Sequence, residues 1–187
     1  MKGKLIVLSG ASSIGKDRVK DALLEDKELG LLYAISMTTR PMKEGEEDGV
    51  DYYFTDYKSF ANAVKNKELL EYTEFNGYYY GLPKDQVNFL MSHGKNVLVD
   101  VEAEGVGPIK LNVPEALCIF MLPKTIEDLE AHIHDVYGDD TADANVRINK
   151  ARMEMEISSL FRNQVVMDDF DRSYEEIKKL IKEYIAE

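Results

Sequence analysis

The chain has 187 residues, of which 44% are hydrophobic and 31% charged, with a formal net charge of −12 and a pI near 4.8. This length is enough for one domain with a sizeable core, and the composition is typical of a soluble globular protein. The acidic balance argues against nucleic acid as a partner, because binding to a phosphate backbone favours a basic surface. A small nucleotide is still permitted if basic residues converge locally.

Cysteine usage and hydropathy bear on the compartment. The single cysteine, Cys118, lies in an apolar run and has no partner for an internal disulfide, so we expect a reducing environment. No stretch approaches the length that crosses a bilayer, and the N-terminus runs directly into the first predicted strand, which leaves no room for a signal peptide. We therefore expect a cytoplasmic protein that does not bind membranes; no oligomeric state is predicted.

The first informative stretch lies near the N-terminus. The apolar residues 5–8 predict a buried strand, and Ser-Gly-Ala-Ser-Ser-Ile-Gly-Lys follows at 9–16, with a helix predicted from Asp17 to Leu24. A strand, Gly-x-x-x-x-Gly-Lys and a helix form a phosphate-binding loop, in which backbone N–H groups and the helix N-terminus favour an anion. The predicted ATP-binding residues are Gly10, Ala11, Ser12, Ser13, Ile14, Gly15, Lys16, Asp17 and Arg18.

Asp17 departs from this motif, which has Ser or Thr after the lysine to bind Mg²⁺ through a hydroxyl. A carboxylate also binds Mg²⁺, but it places a negative charge beside polyphosphate. The alternative is a strand, a glycine turn and an Asp-capped helix without a ligand. The glycine–lysine spacing together with the strand context favours phosphate binding.

Strands and helices alternate along the rest of the chain, apart from one inserted segment. Strands are predicted at 32–36, 96–101, 116–122 and 164–167, and helices at 83–92, 104–111, 125–134, 144–162 and 173–186. Five strands with intervening helices predict an α/β fold with a parallel sheet covered on both faces.

The inserted segment lies between residues 52 and 80. It is predicted to contain a short strand at 52–54, a helix at 57–66 and a hairpin that turns at Asn76-Gly77, between strands 69–75 and 78–80. Short antiparallel strands within a strand–helix alternation indicate a small subdomain. The acidic segment 135–143 is predicted to be a mobile flap.

Taken together, these stretches resemble the guanylate kinase family across essentially the whole chain. The matching stretches are the phosphate loop, 36–40, 48–54, 71–75, 77–81, 99–102 and 167–169. The resemblance implies a P-loop kinase fold with a core (1–36 and 83–187), an α+β monophosphate-binding subdomain (37–82) and a lid (about 135–143). It also implies the conversion of ATP and GMP to ADP and GDP, with Mg²⁺ as cofactor and small-molecule nucleotides as partners.

Site residues follow from the same resemblance. It implies acceptor-phosphate binding by Ser36, Arg40, Lys43, Tyr52 and Tyr80, and base recognition by Glu71 and Glu102. It implies catalytic roles for Lys16, Lys43 and Arg147. Asp100 is implied both in GMP binding and, together with Asp17, in Mg²⁺ binding. Leu82 stands where the family has a hydroxyl that meets the guanine carbonyl oxygen.

Other departures lie in the lid. His132 and either Val136 or Tyr137 stand where the family has arginines, and Asp135, Asp139, Asp140 and Asp143 add negative charge. Two alternatives to a GMP kinase therefore stay open. One is a module that binds a nucleotide, or a phosphorylated or acidic peptide, without transfer. The other is a kinase for a different nucleoside monophosphate, which Leu82 favours.

Overall fold

The computed structural model describes residues 2–139 and 141–187. In chain order its elements are β1 (Leu5–Gly10), α1 (Lys16–Glu25), β2 (Leu31–Tyr33), β3 (Met37–Thr38), β4 (Tyr53–Phe54), α2 (Tyr57–Lys65), β5 (Leu69–Phe75), β6 (Tyr78–Pro83), α3 (Lys84–Ser92), β7 (Asn96–Asp100), α4 (Ala103–Asn112), β8 (Leu117–Leu122), α5 (Ile126–Tyr137), α6 (Ala142–Ile157), a 3₁₀ turn (Ser158–Leu160), β9 (Asn163–Val166) and α7 (Phe170–Ala186). Among these residues no helix combines the length and the apolar composition needed to cross a bilayer.

The predicted parallel sheet is confirmed. Five strands pair in the order β2-β7-β1-β8-β9, and every pairing is parallel. The central strand β1 is fully buried because its alternate side chains enter two separate cores: Leu5 and Val7 on one face, Ile6 and Leu8 on the other. Helices cover both faces of this sheet. Because β1 and β7 are parallel neighbours, their carboxyl ends lie together at one edge of the sheet.

A second sheet, in the order β4-β3-β6-β5, lies within residues 37–83 and contains the predicted hairpin. Its turn residues Asn76 and Gly77 have φ angles of 55° and 79°, as a tight two-residue hairpin turn requires. Helix α2 begins after Asp56, whose Oδ1 accepts the Ser59 amide at 2.7 Å.

The helices on either side of the predicted flap extend further into it than the sequence indicated. Helix α5 continues to Tyr137 and ends at Gly138 (φ 86°), while α6 begins after Thr141, whose Oγ1 accepts the Ala144 amide at 3.1 Å. Asp135 and Asp143 therefore belong to helices, and Asp140 lies outside the described residues. The polar sequence indicated a loop, but polar residues also form the exposed face of a helix until a glycine or a cap ends it.

Candidate functional site

A cleft of about 910 Å³ opens at the carboxyl edge of the parallel sheet. The phosphate loop and the end of β7 form one wall, the inserted sheet forms the opposite wall, and α5 and α6 contribute the remainder. The predicted site residues that line it are Ser12, Ser13, Ile14, Gly15, Lys16, Asp17, Ser36, Arg40, Lys43, Tyr52, Glu71, Tyr80, Asp100, Glu102 and Arg147.

The phosphate loop turns sharply between β1 and α1. Ser13 and Gly15 both have left-handed backbone angles, with φ of 65° and 88°, and the Ile14 amide donates to the Ala11 carbonyl at 3.1 Å. Gly15 provides no side-chain cap for α1. No side chain of the N-cap residue therefore competes with an anion for the N–H groups of the first helical turn.

Opposite charges meet beside the loop. Lys20 Nζ lies 3.2 Å from Asp17 Oδ1, and the Tyr33 hydroxyl donates a hydrogen bond to Asp100. Burial alone would lower the pKa of Lys20, but the carboxylates of Asp100, Asp17 and Asp21 together raise it. An ammonium group thus faces both carboxylates that were predicted to bind Mg²⁺.

On the opposite wall, Arg40 forms a two-point ion pair with Glu46. Its Nη2 lies 2.7 Å from Glu46 Oε1 and its Nη1 lies 2.9 Å from Glu46 Oε2, an oxygen that also accepts the Lys43 amide at 2.7 Å. These hydrogen bonds lower the pKa of Glu46 to about 2, and the bond from Arg40 contributes most to this shift. The Arg40 guanidinium also lies 5.3 Å from the Tyr52 ring, so its orientation is fixed from two sides.

Glu71 lies at the inner end of the cleft, only 5% exposed. Its Oε2 has no hydrogen-bond partner among the described residues, and a Cβ added at Gly105 would lie only 2.5 Å from that oxygen. Burial, with a smaller contribution from the Glu102 carboxylate, raises the pKa of Glu71 to about 8. The cleft therefore contains a buried carboxyl group with unused hydrogen-bonding capacity.

Glu102 and Arg147 complete the cleft. Burial would raise the pKa of Glu102, but the Lys16 and Lys150 ammonium groups lower it, and Lys150 Nζ lies 3.1 Å from Glu102 Oε2. The Arg147 guanidinium lies 4.1 Å from the Tyr137 ring centre, and its Nε lies 3.3 Å from Asp143 Oδ2.

Comparison with known proteins decides the family. The sequence profile described as guanylate kinase matches residues 2–184. The chain belongs to the guanylate kinase family. A guanylate kinase of Enterococcus faecalis is 38% identical to this family member over 180 residues, which is 96% of this chain and 88% of the relative.

Solved structures agree on the fold. The crystal structure of guanylate kinase from Anaplasma phagocytophilum matches with a TM-score of 0.79 at 24% identity, over 100% of this chain and 88% of that one. The SH3-kinase fragment of tight junction protein 3 matches with a TM-score of 0.55 at 15% identity, over 97% of this chain and 57% of that one. The guanylate kinase fold is therefore shared by proteins of low sequence identity.

Four predicted site residues of this guanylate kinase family member do not line the cleft. Gly10 is the last residue of β1, and a Cβ added to it would lie 2.7 Å from the Met121 carbonyl oxygen. Ala11 is buried in a cluster with Ile133. The Arg18 guanidinium lies 3.7 Å from the Phe170 ring centre, outside this cleft. The fourth residue is Leu82.

The structure does not place the side chain of Leu82, predicted to lie against the base, in the cleft. Its side chain is fully buried in the core, in the cluster that contains Leu70, Val87 and Met91, and it does not line the cleft. The cleft wall at this point is formed by Tyr80 and Glu71.

The sequence did not indicate three residues that matter to the site: Lys20 and Glu46, which line the cleft, and Glu154, which is buried behind the phosphate loop. The Ser12 amide donates to Glu154 Oε2 at 2.7 Å, and Glu154 is 4% exposed. One signal was present: Arg147, Lys150 and Glu154 follow one another at three- and four-residue spacing, which places them on one face of a helix.

Proposed function

We propose that this chain transfers the γ-phosphoryl group of ATP to GMP, giving ADP and GDP. The observation that supports it best is the meeting, in one cleft, of a lysine-tipped phosphate loop with a wall that presents Arg40 and the buried carboxyl of Glu71. The first group suits a triphosphate and the second suits a purine monophosphate.

Lys16 and the backbone of residues 13–17 would bind the donor phosphates, because left-handed turns at Ser13 and Gly15 direct successive amides toward one point. Asp17 and Asp100 fit Mg²⁺, since this ion usually takes one or two protein carboxylates and completes its shell with phosphates and water. The described part of the chain has no cluster of three or more His, Cys, Asp or Glu that would form a metal cage. Mg²⁺ held there would neutralise charge on the transferring phosphate.

Ser36, Arg40, Lys43, Tyr52 and Tyr80 would bind the acceptor phosphate, whose two negative charges need cations and hydroxyl donors together. Because Glu46 already fixes Arg40 from one side, the guanidinium is pre-organised rather than freely mobile. Glu71 in its ionised form would accept the N1–H and N2–H donors of guanine, with Glu102 nearby. Leu82 gives no reason to prefer another base.

Arg147 would stabilise charge on the group in transfer, because it enters the cleft from α6. No general base is needed: the acceptor phosphate is already a nucleophile, and positioning with charge neutralisation provides the catalysis.

Within this proposal residues 37–82 form the monophosphate-binding subdomain, and the α5–α6 junction acts as the lid. The proposal places the chain in the cytoplasm, in agreement with its unpaired Cys118.

A second candidate function is binding without transfer. Its support is the lid, where His132, Val136 and Tyr137 line the cleft in place of arginines.

A coupled assay with ATP, Mg²⁺ and each of GMP, AMP, CMP and UMP separates these functions. We expect turnover with GMP that is lost in Lys16→Ala and kept in Lys27→Ala, an exposed lysine after α1. GMP binding without turnover would support the second candidate, and turnover of a different monophosphate would contradict the assignment of GMP.

A further inference from the structure

We propose that Glu154 is a positioning residue for the phosphate loop: its carboxyl group binds the Ser12 amide and thereby keeps Ser13 in the left-handed conformation that the loop needs to bind nucleotide phosphates. The inference deepens the proposed function, on which it rests for the identity of the loop's ligand. Glu154 lies on α6, 142 residues after Ser12 in the chain.

The contact is short and buried. The Ser12 N–H donates to Glu154 Oε2 at 2.7 Å, and both side chains have little exposure, 6% for Ser12 and 4% for Glu154. Burial strengthens such a hydrogen bond, because no water competes for either partner. Helix α6 is itself fixed beneath the loop by an apolar cluster that joins Ala11 to Ile148 and Ala151.

The loop needs an external constraint. Ser13 has a φ of 65°, in a region that side chains other than glycine occupy only at a steric cost. Its hydroxyl oxygen is buried and finds no partner in the described part of the chain, so the side chain does not compensate. The loop is tied to the rest of the fold at two adjacent amides: Ala11 N donates to the Met121 carbonyl at 3.2 Å, and Ser12 N donates to Glu154. The second tie immediately precedes the strained residue.

The surroundings of Glu154 show which substitution preserves the contact. The Glu102 carboxyl group lies within hydrogen-bond reach of Glu154, and the Lys16 and Lys150 ammonium groups face the pair. Glutamine at position 154 keeps an acceptor oxygen for Ser12 and presents an N–H donor to Glu102. Alanine keeps neither contact.

ADP binding measured by calorimetry tests the inference without requiring turnover. We expect Glu154→Ala to weaken ADP binding about tenfold, as loss of one buried hydrogen bond predicts, and Glu154→Gln to restore affinity to within about threefold of wild type. The matched control is Glu156→Ala, because Glu156 is exposed on the same helix, and it should leave ADP binding unchanged.

The decisive measurement repeats Glu154→Ala in a Ser13→Gly background. Glycine takes up a positive φ without steric cost, so the penalty of Glu154→Ala should shrink to about threefold or less if Glu154 acts by holding Ser13. An equal penalty in both backgrounds would overturn the inference, as would Glu154→Ala binding ADP like the Glu156→Ala control.

Two further outcomes are distinguishable. If Glu154→Ala does not fold, as judged by thermal melting, Glu154→Asp replaces it, because the shorter side chain withdraws from the Ser12 amide while keeping the charge. ADP binding that follows this pattern without any phosphoryl transfer to GMP would contradict the proposed function and leave the role of Glu154 intact. Wild-type protein that binds no ADP would overturn the inference itself.

Discussion

Lys20 Nζ lies 3.2 Å from Asp17 Oδ1, in the first turn of the helix that follows the phosphate loop. The pair explains how this chain accommodates a carboxylate where the motif has a hydroxyl. Asp17 alone would repel polyphosphate, but the adjacent ammonium offsets part of its charge, and the same ammonium faces Asp100.

Replacing Lys20 by alanine should raise the KM for MgATP about three- to tenfold, in keeping with the loss of a partly buried ion pair. Asp17→Ser should raise kcat/KM for ATP, because it removes the repelling charge and restores a hydroxyl. In the Asp17→Ser background the effect of Lys20→Ala should be smaller, since the charge that Lys20 partly offsets is gone. Steady-state kinetics measure all three, with Lys27→Ala as the control. Identical effects of Lys20→Ala in the two backgrounds would contradict this account.

GMP affinity should increase with pH up to about pH 8. The pKa of Glu71 is raised to about 8 by burial, so the free protein holds this carboxyl protonated at neutral pH, whereas guanine needs the carboxylate. The dissociation constant for GMP should therefore fall about tenfold per pH unit between pH 6 and 7.5 and level off above pH 8. Calorimetry measures it. A flat profile would show that Glu71 does not titrate on binding.

The raised pKa of Glu71 also makes the free energy of unfolding depend on pH, in the opposite direction to GMP affinity. Between its ordinary pKa near 4.5 and about 8, the folded protein keeps a proton that the unfolded chain has lost, so the contribution of Glu71 to the free energy of unfolding falls as pH rises through this window. Glu71→Gln should remove that decline and also abolish GMP binding. Glu74→Gln, an exposed position on the same strand, is the matched control and should change neither.

Val136→Arg should raise kcat about tenfold or more, because an arginine aimed at the transferring phosphoryl group is worth about 10³–10⁵ in rate when it is well placed. Val136 is 56% exposed and lines the cleft, so the new side chain has room. Tyr137→Arg should instead lower kcat, because Tyr137 packs against Arg147. Ala131→Arg, exposed on the same helix and outside the cleft, serves as the comparison. Equal kcat values for Val136→Arg and Ala131→Arg would refute the prediction.

Leu82→Thr should destabilise the protein by about 2–4 kcal/mol without improving the KM for GMP, because it leaves a cavity and buries a hydroxyl in the core. Urea unfolding and GMP kinetics measure the two effects. Leu32→Thr, at a position 40% exposed on an edge strand, should cost much less. A lower KM for GMP with unchanged stability would place residue 82 beside the base after all.

The sequence by itself determined the features that depend on neighbouring residues. The apolar run at 5–8 with the glycine–lysine spacing determined the phosphate loop, and Asn76-Gly77 determined the hairpin, because backbone preferences and side-chain alternation act within a few residues. The order of the motifs along the chain indicated the family and most of the cleft.

Only the tertiary structure decided which side chains meet. Leu82 follows Tyr80 by two residues on β6, which would place both side chains on the same face of the strand, yet Leu82 is fully buried in one cluster with Val87 and Met91 of α3. The contact of Glu154 with Ser12 joins residues 142 positions apart. No local pattern specifies such a contact, because it results from the packing of α6 beneath the loop.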